Sequence, residues 1–451
     1  MSGELLDLAR GIVGRAAKGE EVEAFVTHER SFEVKTFGGE VESLSSADPR
    51  GAGMRVVAGR RGGFAYTTDL TSRGLDAALA QARDNATHST PDPAVGLAAA
   101  WSAEPEDVPG LADPAHSKAT AEDKVALALE AERATKGHDP RIRAVEEAAY
   151  ADSDSEVALA TSTGVAGLFR RTDAWCYSIA IATDENDTEI GFEFALARGI
   201  GGLDAAEVGA RAAERALGVL GAGKIPSERL PVVFEPYVAG QFLGVLGSAL
   251  TGEAVQKGRS LFAGRMGEPV ASEALTLIDD GRLADAPGSA PWDSEGVPTG
   301  RTRVISSGVL EAFLYDTISA RRDGLRSTGN AARASFKSRP YPSPSNLAFS
   351  PTGESREEVL KKAGRALLVQ DFHGVHSGAN PVSGDFSVGA TGRMLDGGDV
   401  GRPVKEITIA APMLEILRGI TAVGSDLRWL PFGGSYGGAT TLVTEMTVAG
   451  T

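Results

Sequence analysis

Apolar positions at the start of the chain recur with the 3.6-residue period of an amphipathic helix: Leu5, Leu6, Leu8, Ala9, Ile12, Val13 and Ala16. The period then switches to two. Alternating runs at Glu21 to Thr27, Ser31 to Phe37 and Met54 to Ala58 predict strands, with turns at Gly38-Gly39 and Gly62-Gly63. A second helix is expected from Thr71 or Ser72 towards Arg83. From Ser89 to Lys118, Pro91, Pro93, Pro105, Pro109 and Pro114 interrupt any regular element and predict a connector between domains.

The same order then recurs. Thr120 and Asp123 form the signature of a capping box opening a helix that runs to about Thr135. Strands are expected at Ile142 to Tyr150, Val157 to Thr161, Val165 to Thr183 and Glu189 to Ala197. Asp204 reads as the N-cap of a helix over Ala205 to Leu220. The repeated helix–strands–helix order is compatible with duplication or with convergence. Beyond Leu230, a strand to Phe234 leads into a helix from Pro236 to Leu250 with a broad apolar stripe. Short β-type runs follow, among them Ala274 to Ile278, Arg303 to Ile305 and Glu406 to Ala410. The expected fold class is α+β: an N-terminal α/β domain (1–88), a Pro-rich connector (89–118), a central α/β domain (119–225) and a large β-rich C-terminal domain (226–451) with one buried helix.

Composition narrows the function classes. The 451 residues suffice for two or three domains at about 150 residues each. The net charge of −16 opposes binding to a phosphate backbone, so nucleic acid is not an expected partner. A single cysteine, Cys176, excludes an intrachain disulfide and a thiolate metal cluster, which fits a reducing compartment. Met1 to Arg15 carries Glu4 and Asp7 and does not read as a signal peptide, and no run approaches the length of a membrane span. The expected location is cytoplasmic, with no membrane partner. No Walker-type loop appears, and no G-x-G-x-x-G follows a strand and opens a helix.

Three constellations carry candidate chemistry. Gly433-Gly434-Ser435-Tyr436-Gly437 matches the G-x-S-x-G of a nucleophile elbow, which needs a helix after the serine. The β-type run Ala439 to Thr444 follows instead, so a glycine-rich turn into a strand is the better reading. His373 and His376, flanked by Asp371 and Asp385, are a possible zinc pair or a substrate-contacting turn. Asp279-Asp280 and Asp293 with Glu295 are paired carboxylates, read among their Gly, Pro and Ser neighbours as solvated turns.

A set of spaced blocks points further. Phe262 to Glu268, Val270 to Ser272, Leu277 to Asp280, Asp293 to Thr299, Ser327 to Asn330 and Ser383 to Ser387 occur in an order that resembles the TldD/PmbA family of metallopeptidase-related proteins. The resemblance covers nearly the whole chain, most strongly from Val232 onward. It implies the three-segment organisation above. TldD-type members carry His-Glu-x-x-x-His on a helix, two histidines for zinc and a glutamate to activate water. Counting back from Phe262 to Glu268, those positions fall on Leu243, Gly244 and Ser248. TldD-type members also carry a cysteine ligand near the C-terminus, and Trp429 to Thr441 has none.

The chain therefore resembles the PmbA (TldE) side of the family. What that implies is a non-catalytic subunit with no cofactor of its own, beside a zinc-bearing TldD-type partner. The two would enclose a cavity that cleaves unfolded peptides, including those matured into peptide antibiotics. Candidate substrate or partner contacts are Arg265, Glu268, His373, His376, Asn380, Asp385 and Ser387. Two alternatives stay open: a self-sufficient metallopeptidase with a metal at His373 and His376, and a peptide-binding homodimeric scaffold.

Overall fold

The computed structural model describes residues 3–185, 187–430 and 434–450. Its first two segments share one seven-stranded sheet. Glu20–Phe37, Glu40–Ala47, Arg50–Ala58 and Arg61–Thr67 come from the first, and Ile142–Thr161, Ala166–Thr183 and Thr188–Ala197 from the second. They join where Glu20–Phe37 runs antiparallel to Ile142–Thr161, from Glu23 opposite Thr161 to Thr36 opposite Ala148. The sequence predicts a break in each of these strands, and the structure runs both through. The polar stretches responsible pair with each other, His28 opposite Glu156 and Arg30 opposite Asp154. Their backbone groups are satisfied by the neighbouring strand and need no turn.

The sheet has a two-fold character. Its order is Arg61–Thr67, Arg50–Ala58, Glu20–Phe37, then Ile142–Thr161, Ala166–Thr183, Thr188–Ala197, so each half starts at the centre and steps outward. The turn expected at Gly62-Gly63 lies instead at Gly59 and Arg60, both at positive φ, while Gly62 and Gly63 pair with Val57 and Val56. Gly63 serves packing: a Cβ there would lie 1.9 Å from the Ala82 carbonyl oxygen of helix Ser72–His88. Gly191 does the same in the other outer strand, 2.1 Å from the Ala212 carbonyl oxygen of helix Ala205–Val219. Thr71 and Asp204 cap those two helices, and Thr120 and Asp123 form the expected capping box at the start of Ala121–Gly137.

The proline-rich connector lies across the joint between the sheet and the third segment. Leu97, Ala98, Val108 and Leu111 are buried. The Arg321 guanidinium donates to the Leu97 carbonyl at 2.6 Å, and the Trp101 indole N–H donates to the Gly296 carbonyl at 2.5 Å. Regular structure is absent from most of it because proline removes donors, and side chains from the C-terminal domain satisfy part of its backbone instead.

In the C-terminal domain, Asp399–Ala410, Ser387–Asp396, Ala366–His373, Glu228–Phe234 and Thr441–Ala449 pair in sequence around a ring. The ring closes where Thr408 to Ala410 meet Thr447 to Ala449. A second sheet holds Leu277–Asp280, Arg301–Ser306, Val309–Leu310, Leu347–Phe349, Arg428–Leu430 and Tyr436–Gly438. Helix Pro236–Ala249 packs between the two, with Val238, Ala239, Phe242, Leu243 and Leu246 fully buried. Phe242 joins Phe234, Phe372 and Phe386 in a cluster whose successive rings lie 5.4 to 5.9 Å apart. Two shorter helices, Arg356–Ala363 and Met413–Gly419, also bury apolar faces.

Candidate functional site

Strand alternation builds a cleft. In Ala166–Thr183, Ala174, Cys176 and Ser178 face helices Ala121–Gly137 and Ala205–Val219 and are fully buried. Burial pushes the Cys176 thiol up to about 12, so it is inert as a nucleophile. The other parity, Phe169, Arg171, Asp173, Trp175 and Tyr177, faces a cleft of about 1350 Å³. Cross-strand neighbours extend this wall in rows: Thr27, Val157 and Phe169 in one, Glu29, Ser155 and Arg171 in the next. The opposite wall comes from the C-terminal domain, with Trp292, Tyr341 and Trp429. The sequence carries a signal for this wall, the alternation of Phe169, Arg171, Asp173, Trp175 and Tyr177.

A buried ion network lies beside the cleft, which its Arg333 helps to line. Glu23 and Arg55 are cross-strand partners, and Arg55 Nε donates to Glu23 Oε1 at 2.9 Å. Arg55 Nη1 also reaches Glu295 Oε1 at 2.8 Å, and Arg333 pairs with Glu23 while lying over the Phe25 ring. Two arginines thus meet two carboxylates with almost no exposure. The adjacent carboxylates, expected as solvated turns, are buried: Glu295 is 0 % exposed, Asp279 1 % and Asp293 7 %. Arg55 of the sheet covers Glu295, and around Asp293 and Asp279 hydrogen-bond donors of the C-terminal domain take the place of water. Asp293 accepts from the Glu295, Val297 and Ala331 amides at 2.9 Å. Asp279 accepts from Asn330 Nδ2 at 2.6 Å and from the Ser345 amide at 2.8 Å. Burial pushes Asp279 up to about 6 and raises Asp293 as well, whereas Arg55 and the Thr317 amide hold Glu295 below its ordinary value despite its burial.

The seven candidate contact residues lie elsewhere, and none lines the cleft. Arg265 and Glu268 form a surface pair at 3.3 Å in the loop after Phe262. That loop is tied to the second group by the Leu261 amide, which donates to the Pro381 carbonyl at 3.0 Å. Asn380 organises the turn, its Oδ1 accepting from the Val382 amide at 2.9 Å while the Ser383 hydroxyl donates to Asp385 at 2.6 Å. Ser387 is exposed at the start of its strand. His373 ends a strand and its Nε2 lies 2.8 Å from Thr391 Oγ1, whereas His376 is exposed on a short helix, Val375–Gly378. Asp371 is raised by burial. Among the described residues, no group of three or more His, Cys, Asp or Glu is placed to hold a metal ion.

Of the G-x-S-x-G residues, Gly433 lies outside the described residues. Ser435 is buried and donates to Asn346 Oδ1 at 2.7 Å, and strand Tyr436–Gly438 follows it. Asn346 also accepts from the Gly288 amide and donates to the Asp280 carbonyl and the Ser289 hydroxyl, so it is a structural hub that sequence reasoning missed. Helix Pro236–Ala249 contains no His, Cys, Asp or Glu. Leu243 is fully buried, and the Ser248 hydroxyl turns back to the Val245 carbonyl at 2.9 Å. The Tyr436 ring lies over Gly244 and Gly247, where a Cβ would come to 3.5 and 2.8 Å from it. The residues of this helix do not fit a metal.

Residues 22–86, 115–220 and 227–450 match, in order, domain 1, the central domain and the C-terminal domain of the PmbA/TldA metallopeptidases. The chain belongs to the PmbA/TldD family. It is 30 % identical over 429 residues to the metalloprotease PmbA of Escherichia coli O157:H7, covering 94 % of this chain and 90 % of that one. It is also 26 % identical over 430 residues to a TldD homologue of Haemophilus influenzae, covering 89 % and 87 %. The crystal structure of TldE from Thermococcus kodakarensis shares the fold, with a TM-score of 0.87 at 22 % identity over 99 % of each chain. A Thermotoga maritima chain of 26 % identity superposes with a TM-score of 0.88, covering 99 % of this chain and 98 % of that one. Of the blocks that carry the resemblance, Asp293 to Thr299 supplies Glu295 to the buried joint, and Asp279 and Asn330 from two others bond to each other. No helix among the described residues is long and apolar enough to cross a membrane.

Proposed function

We propose that this chain is the TldE-like, non-catalytic subunit of a cytoplasmic zinc metallopeptidase complex, paired with a TldD-type chain that supplies the metal. The observation that carries this reading is helix Pro236–Ala249, the element on which a His-Glu-x-x-x-His motif would sit. Here it holds only apolar, small or amide-bearing side chains and Tyr237, and its glycines are covered by Tyr436 at Gly244 and Gly247 and by Leu430 at Gly240. Such a helix positions neighbours and has no group to bind zinc or activate water. Membership of a family that contains both PmbA- and TldD-named proteins supports the pairing. The substrate in this reading is an unfolded peptide, as in general proteolysis or the maturation of a peptide antibiotic. The loops carrying Arg265 and Glu268 and Asn380, Asp385 and Ser387 are the proposed partner or substrate contacts, with His373 and His376 beside them.

Mixing the purified chain with a TldD-type chain tests the proposal, with cleavage of an unfolded peptide as readout. Neither chain alone is expected to match the mixture. Full activity from this chain alone contradicts it in favour of a self-sufficient enzyme. Self-association with no gain on mixing contradicts it in favour of a homodimeric scaffold.

A further inference from the structure

We propose that the cleft selects peptides by aromatic and large apolar side chains, held in extended form against the outward parity of strand Ala166–Thr183. The inference takes its ligand class, a peptide, from the subunit role above and adds the selectivity.

Aromatic residues make up 6 % of the chain, yet both cleft walls present them: Phe169, Trp175 and Tyr177 on the sheet, Trp292, Tyr341 and Trp429 opposite. Phe169 and Trp292 meet edge to face at 4.9 Å, so the two walls come together at one end. Tyr341 is 46 % exposed, and Phe169, Trp175, Tyr177 and Trp429 are half-buried. Partly exposed aromatics gathered in a concavity mark a binding surface, because they gain most from a ligand that completes their burial.

The charged groups on the sheet wall balance, Arg171 and Arg198 against Asp173 and Glu29. Arg171 Nε lies 2.8 Å from Asp173 Oδ2, and Arg198 pairs with the same carboxylate at 2.5 Å. In a chain of net charge −16 the wall therefore offers no strong field by which to sort ligands, and apolar contact is left to do so. The spacing fits an extended chain. Residues two apart on a strand repeat every ~6.6 Å, and alternate side chains of an extended peptide share that repeat. A peptide lying along Trp175 and Tyr177 would set every second side chain against the aromatic wall. At about 1350 Å³ the cleft is larger than the ~300–1,000 Å³ usual for a small-molecule site, as a peptide segment requires.

Three of the four tryptophans, Trp175, Trp292 and Trp429, line the cleft, so intrinsic fluorescence reports its occupancy. The test titrates the TldD-type complex of this chain, made with a tryptophan-free partner variant, with two tryptophan-free dodecapeptides of equal charge. One carries Phe at alternate positions and the other Ser. The Phe peptide is expected to bind at least about tenfold more tightly. Trp175→Ser and Trp429→Ala, on opposite walls, are each expected to weaken it several-fold with the melting temperature unchanged, and Trp175→Phe to restore it. Equal binding of the two peptides, or unchanged binding by both folded variants, overturns the selectivity. Cleavage on mixing is scored separately: a normal gain with no discrimination removes the selectivity alone, and no gain removes the subunit role whatever the binding shows.

Discussion

Arg55 and Glu295 lie 2.8 Å apart although 240 residues separate them in the chain. One stands in the third strand of the N-terminal segment and the other in a loop of the C-terminal domain. With Glu23 and Arg333 they fasten the sheet to the domain that forms the opposite cleft wall. Removing one partner of a buried pair leaves a desolvated charge behind. Arg55→Ala is therefore expected to cost about 3–5 kcal/mol in urea unfolding. A loss below about 1 kcal/mol would mean that water replaces the guanidinium and the joint is not dry.

Stability should respond to pH through Asp279. Its pKa, pushed up to about 6 by burial, exceeds the unfolded value of about 4, so the folded state holds the proton more tightly across that window. The contribution is fully present below the unfolded pKa and declines as pH rises towards 6. Asp279→Asn should flatten the stability profile between about pH 4 and 6 relative to the parent. Parallel profiles for parent and variant would show that Asp279 does not titrate there.

Gly191 and Gly63 admit helix backbones that a side chain would displace. Gly191→Ala should lower stability by about 1–3 kcal/mol, since its Cβ meets the Ala212 carbonyl oxygen. Gly201→Ala, with nothing within 4 Å of the new atom, is the control and should be close to neutral. Equal melting temperatures for both variants would refute the close approach.

Ser435 is held by Asn346 within the structure. Ser435→Ala should cost about 1 kcal/mol, and a fluorophosphonate probe should leave the serine of the parent chain unlabelled. Labelling at Ser435 would reinstate it as a nucleophile.

Arg265 is half-buried at the surface, and among the described residues its guanidinium is held by Glu268 and the Leu261 carbonyl. Arg265→Ala is expected to lower peptide cleavage by the reconstituted complex without lowering thermal stability. Unchanged cleavage would remove this loop from the contact surface.

Local signals were the legible part of this chain. Thr120 with Asp123, Asp204 and Thr71 fixed helix starts because a cap is written within a few residues. Glu20–Phe37 and Ile142–Thr161 were not read whole, although Ala166–Thr183 was, because what carries His28 to Arg30 through as strand includes a partner more than 120 residues away. Gly62-Gly63 looked like a turn because glycine marks both turns and close packing, and only the helix above it decides which. Asp293 and Glu295 looked solvated because their burial comes from a sheet built by other segments. The cleft was missed for the same reason: its walls are drawn from opposite ends of the chain. The resemblance carried the family, since it rests on the order of separate blocks.

The zinc content of the purified chain, by elemental analysis at neutral pH without added chelator, bears most directly on the subunit role. Near-zero zinc is the expected result, with the metal found in a TldD-type partner. About one zinc per chain, lost on replacing His373 and His376, would contradict that role and make the chain an enzyme in its own right.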